Sequence, residues 1–95
     1  MGIAYIRVGS VMGAGAPTYL PPRDSATINT TTSNTASTLA VRGGDYLRVV
    51  ARVADIHVAI NKTAATEPRD TVTVGSFIDI GPLKDGDVIN LVDVT

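Results

Sequence analysis

From Ser25 onward, polar and apolar residues alternate in several windows, the period of strands with one buried face. In DYLRVVARV (45–53), Leu47, Val49, Ala51 and Val53 fall on one side, with Tyr46, Arg48, Val50 and Arg52 on the other. DIHVAI follows a turn at Ala54 and Asp55 and sets Ile56, Val58 and Ile60 opposite His57 and Ala59. Together these two runs predict a hairpin. TVTVGSFIDI aligns Val72, Val74, Ser76, Ile78 and Ile80, and Gly75 marks either a bulge or a break between two strands. DVINLVDV is apolar on both parities, the pattern of a strand covered on both sides. Thr and Val dominate this region and no helical period is present, so the expected class is all-β. A small antiparallel β-sandwich or jelly-roll-like domain over residues 25–95 is predicted, with Leu47, Val49, Val53, Val58 and Ile60 in its core.

Residues 1–24 lack this alternation outside IAYIRV (3–8). Gly13, Gly15, Pro17, Pro21 and Pro22 favour bends and extended backbone and weaken any ladder, which predicts an extended N-terminal arm. Its apolar residues Ile3, Tyr5, Ile6, Tyr19 and Leu20 are then the partner-binding candidates, contacting another subunit in place of their own domain. IAYIRV has the β-branched character to add a strand to a neighbour's open edge.

The chain also repeats itself. PRDSATI (22–28) is echoed by PRDTVTV (68–74), and each is followed by a basic residue, a Gly-Asp pair and an apolar strand: RGGDYLRVV (42–50) and KDGDVINLV (84–92). Pro, Asp and Gly are ordinary turn chemistry that any β protein could use twice; the alternative, which the shared order suggests, is two related halves. The strands after Pro22 and Pro68, and those after Asp45 and Asp87, should then occupy equivalent places.

Composition narrows the functional classes. The 95 residues make one domain with a modest core, and three Tyr, one Phe and no Trp leave small side chains to fill it. A net charge of −1 without like-charge blocks offers no footprint for nucleic acid. No cysteine is present for a disulfide or thiolate site, and no apolar run approaches the ~20 residues of a membrane span. The first residues do not have the pattern of a secretory signal, so a soluble, unprocessed chain without membrane association is expected.

Catalytic motifs are missing. His57 is the single histidine, and Asp55 beside it would need a third ligand from elsewhere to hold a metal. Asp85 and Asp87 around Gly86 lack the further oxygen ligands of a calcium loop and read as a turn. GAGAP (13–17) has no lysine after it and no strand-to-helix frame for a phosphate. Asn29 and Asn61 open sequons that matter only in a glycosylating pathway. No catalytic, cofactor-binding or metal-ligating residue is assigned, and an enzyme is not expected.

From Ser25 to Val94 the order of features resembles small virion proteins of tailed bacteriophages, of the capsid decoration or cement type. The resembling run is SATINTTTSNTASTLAV, then YLRVVARVADIHVAI, the loop NKTAATEPRD, and a strand, a Gly-containing turn and a last apolar strand ending INLV. The resemblance implies a compact β domain, made in the host bacterial cytoplasm and placed many times on the virion, on the capsid exterior. Its implied partners are the major capsid protein or other virion proteins, with homo-oligomer formation. It carries no functional residue across. The alternatives are a phage tail, neck or receptor-binding accessory module, or a carbohydrate-binding β-sandwich, for which Tyr5, Tyr19, Tyr46 and Phe77 are the available stacking residues.

Overall fold

The computed structural model describes residues 2–9, 11–12, 18–19 and 23–94, with the backbone alone at 11–12 and 18–19. Ten strands follow in order: β1 Gly2–Gly9, β2 Val11–Met12, β3 Thr18–Tyr19, β4 Asp24–Thr30, β5 Thr35–Ala36, β6 Tyr46–Arg52, β7 Ile56–Ile60, β8 Asp70–Val72, β9 Phe77–Ile80 and β10 Ile89–Asp93. No helix occurs among the described residues. One antiparallel sheet has the order β4-β1-β6-β9 and the other β5-β10-β7-β8, while β2 and β3 form a small separate hairpin. The expected all-β class holds.

A single apolar core lies between the sheets. Ala4, Ile6, Val8, Leu47, Val49 and Ala51 enter it from the first sheet, and Ile56, Val58, Val72, Ile89 and Leu91 from the second. Each fully buried Val, Leu or Ile contributes about 1.5–3 kcal/mol, and no aromatic ring is among them. The alternation read for Leu47, Val49, Val58 and Ile60 places them toward this core, Ile60 at its half-buried margin. β10 is buried at every position, as its apolar parities imply. Val92 on its outer side is covered by Ala64 from the loop between β7 and β8.

Three sequence expectations are corrected. The segment Gly2–Gly9 is not an arm: β1 lies inside the first sheet, paired with β4 on one flank and β6 on the other. Its even positions Ala4, Ile6 and Val8 have no exposed surface. Without β1, both β4 and β6 would lose the backbone partners of a whole flank, so the edge that this strand fills belongs to its own sheet. Leu20 lies outside the described residues, as does most of the remaining Gly/Pro-rich stretch. The hairpin expected between β6 and β7 is absent, because β1 and β9 already occupy both flanks of β6 and the chain must cross to the second sheet. Val53, at that crossing, takes φ 74° and is 71% exposed instead of buried. At Gly75, φ 83°, the run TVTVGSFIDI divides into β8 and β9, which sit in different sheets.

The two halves of the chain occupy equivalent places. Running from the outer strand inward and across, the first sheet reads β4, β1, β6, β9 and the second β8, β7, β10, β5. The strands after Pro22 and Pro68 are both outer strands, and those after Asp45 and Asp87 are both interior. Each half contributes three strands to its own sheet and one, β5 or β9, to the other. The turns before β6 and β10 match in detail. Asp45 accepts the Arg42 N–H at 2.9 Å and Asp87 accepts the Lys84 N–H at 2.9 Å. Gly44 and Gly86 both adopt left-handed backbone, φ 87° and 79°. Across the middle, the Gly44 N–H donates to the Leu83 carbonyl at 2.8 Å and the Gly86 N–H to the Val41 carbonyl at 3.0 Å. This reciprocity is what a pseudo-two-fold duplication requires.

Candidate binding face

Period two sends the odd residues of β1 and the even residues of β6 to the outside of the first sheet. Register then builds rows across it: Asn29, Ile3 and Arg52; Thr27, Tyr5, Val50 and Phe77; Ser25, Arg7, Arg48 and Asp79. Tyr46 lies opposite Gly9 in the next row. The described aromatic side chains Tyr5, Tyr46 and Phe77 thus share one face, none of them in the core.

One end of this face is open and apolar. A cleft of about 520 Å3 is lined by Ile3, Val50, Ala51, Arg52, Val53, Val74 and Gly75. Val53, Phe77 and Val74 beside it are 71%, 52% and 44% exposed, three of the five exposed large apolar side chains among the described residues. Two crossings between the sheets display them: Val53–Asp55 after β6 and Thr73–Ser76 before β9. The crossings are tied together by the Val74 N–H donating to Asp55 Oδ1 at 2.9 Å, the Gly75 N–H to the Ala51 carbonyl at 3.0 Å and the Ala51 N–H to the Ser76 carbonyl at 3.2 Å.

Charge on the face is organised. Arg48 donates through Nε and a terminal nitrogen to both oxygens of Asp79, at 2.8 and 3.0 Å, and its guanidinium sits 4.3 Å from the centre of the Phe77 ring. The fork fixes the Arg48 guanidinium, which stacks against the Phe77 ring. Arg7, Arg48 and Arg52 against Asp79 leave the face net positive on a chain whose total is −1. It can seat an apolar side chain and meet a carboxylate at its rim.

The sequence candidates divide. Ile3 and Tyr5 are on this outer face, half-buried between β4 and β6, and Ile3 lines the cleft. Ile6 is fully buried in the core and is not a surface residue. Tyr19 belongs to β3, where only the backbone is described. Val50, Arg52, Val53 and Val74 were not singled out as a site from sequence, and Phe77 only as a stacking residue of the carbohydrate-binding alternative. Two signals were present: Phe77 is the single Phe, and Val53 and Val74 adjoin the turn residues Ala54 and Gly75.

Asp55 and His57 do not act as a pair. Asp55 holds the Val74 N–H, while His57 Nδ1 bonds Thr71 Oγ1 at 2.8 Å on the second sheet. Burial, and then the nearby Arg69 charge, hold the His57 imidazole below its ordinary pKa. A small polar cleft of about 190 Å3 beside it is lined by Thr32, Ala65, Arg69, Val92 and Asp93. Arg69 is turned to the Ala64 and Ala65 carbonyls, and Asp93 accepts from Thr30 Oγ1 and the Gly2 N–H. These groups brace the fold. Asp85 accepts the Gly43 N–H, and no group of three or more His, Cys, Asp or Glu among the described residues is arranged to hold a metal. No family model matches the chain, and no match was found among curated proteins or among solved structures.

Proposed function

We propose that the protein is a structural binding module that docks onto a larger protein assembly through the outer face of its first sheet, and that this assembly is a bacteriophage capsid decorated on its exterior. The observation supporting a docking role is the open apolar cleft at Val53 and Val74 with Arg52 at its rim, next to the exposed Phe77 that pairs with the cleft residue Val50. A small domain whose described aromatic side chains lie off its own core and on one face has contact area to offer a partner. The capsid as partner rests on the resemblance of residues 25–94 to virion decoration proteins. On a shell of repeated subunits, a copy that engages two of them at once gains from effective concentration, so a face of this size can hold at modest affinity per contact.

Purified protein added to capsids that lack it should saturate at a fixed number of copies per particle, measured by co-sedimentation. Val74→Asp and Phe77→Ser should each weaken binding about tenfold or more, as expected for anchors at the centre of an interface. Because both positions are exposed, their melting temperatures should stay close to that of the parent. Binding that never saturates would defeat the capsid reading, and undiminished binding by both variants would place the contact on another surface.

A further inference from the structure

The halves, residues 2–52 and 56–94, are joined only through Val53, Ala54 and Asp55, and they are interleaved. β5 of the first half pairs with β10, and β9 of the second half pairs with β6. Every contact between halves therefore has the same geometry whether the two halves come from one chain or from two. The joint also carries strained backbone. Val53 is a β-branched residue held at φ 74°, a region such residues avoid, and its side chain is 71% exposed, so burial does not compensate it.

From these features we infer that two copies of the chain exchange halves, the first half of each completing its fold with the second half of the other. In the exchanged dimer the joint runs extended from β6 toward the partner, and Val53 returns to the β region that its side chain prefers. Short strained connections are the known hinge of such exchange. The dimer keeps both interior cores and presents the outer face of the first sheet twice. This inference does not rest on the capsid reading, since it concerns the chain's own second copy.

Refolding at high protein concentration should yield a dimer that size-exclusion chromatography with light scattering separates from monomer. The identity of the dimer is tested inside the core. Val49 on β6 and Ile78 on β9 are register partners directed between the sheets, and the chain contains no cysteine. When a Val49→Cys chain and an Ile78→Cys chain are refolded together and oxidised, a disulfide between the two chains requires that β6 of one pair with β9 of the other. Contact between surfaces of intact monomers cannot bring these positions together.

Substitutions at the hinge should act in opposite directions. Val53→Gly accepts φ 74° without strain and should shift the equilibrium toward monomer by about tenfold or more, the relief counting once for each chain of the dimer. Val53→Pro fixes φ near −65°, which excludes the observed crossing, and should shift it toward dimer. Monomer at every concentration, or a dimer that does not give the inter-chain disulfide, overturns the inference. So does a Val53→Gly variant that dimerises as readily as the parent, a result that stands even if Val53→Pro fails to fold.

Discussion

Val49 is enclosed between Ile6 on β1 and Ile78 on β9, with no exposed surface. A carboxylate there would be buried without a counter-ion, so Val49→Asp should lower stability by several kcal/mol. Urea unfolding checks this, and an unchanged midpoint would show that the site admits water. The ionisable residues make a second expectation. Burial would raise the Asp45 carboxyl, but Arg23, the Arg42 N–H and the charges of both arginines outweigh it and leave its pKa lowered. The Lys84 N–H and the Asn61 amide lower that of Asp87. For both, the unfolded chain takes up its proton first, so their contribution is complete above about pH 4 and is lost as pH falls through the folded values. His57 is also lowered. Its neutral form is favoured by folding, and its contribution is lost as pH falls below about 6.5. All three carry one sign. The denaturation midpoint should decline steadily from neutral to acid pH, with the upper part of the decline removed in His57→Gln and part of the lower in Asp45→Asn. A midpoint that rises on acidification would contradict the sign.

At the scale of the element, β1 decides whether there is a sheet at all. It supplies Ala4, Ile6 and Val8 to the core and backbone partners to two neighbours. A chain beginning at Ser10 should therefore lose its cooperative transition and its strand signal by circular dichroism, and the peptide GIAYIRVG added in trans should restore both. A folded truncated chain would return this segment to the status of an arm. Alternation made β6, β7 and β10 legible in the sequence, because it reports which face is buried. It does not report the neighbour. IAYIRV carries the same strand signal whether it joins another subunit's edge or fills a gap between β4 and β6, and the glycines and prolines after it gave the segment the composition of an arm. Val53 shows a second limit. Parity extends the inward face of β6 to it, but a left-handed residue reverses the direction of the side chain, and no local pattern marks a valine for that conformation. The apolar cleft was hidden for the same reason, since Val53 and Val74 come together only after two crossings between sheets lie side by side.

In the whole molecule, the duplication was visible as turn chemistry, with PRD before β4 and β8 and Gly-Asp before β6 and β10. The exchange of β5 and β9 between halves was not, because nothing in a strand's sequence names the half that it will join. That exchange makes the halves interdependent. Alone, residues 2–53 would leave β5 without β10 and β6 without β9, while residues 54–94 would leave β9 and β10 without those same partners. The core would be split as well, with Ile6, Leu47 and Val49 facing water in one fragment and Val58, Ile89 and Leu91 in the other. Cutting the chain at the joint, however, removes one exposed connection and no core contact. The two fragments, each disordered by itself, should combine in equal amounts to give the circular dichroism of the intact chain, with a midpoint that rises with concentration because joining has become bimolecular. Titration followed by analytical ultracentrifugation would show the 1:1 complex. A fragment that folds as a monomer without its counterpart would mean that the halves are separate domains and that the shared core between the sheets is not what holds them.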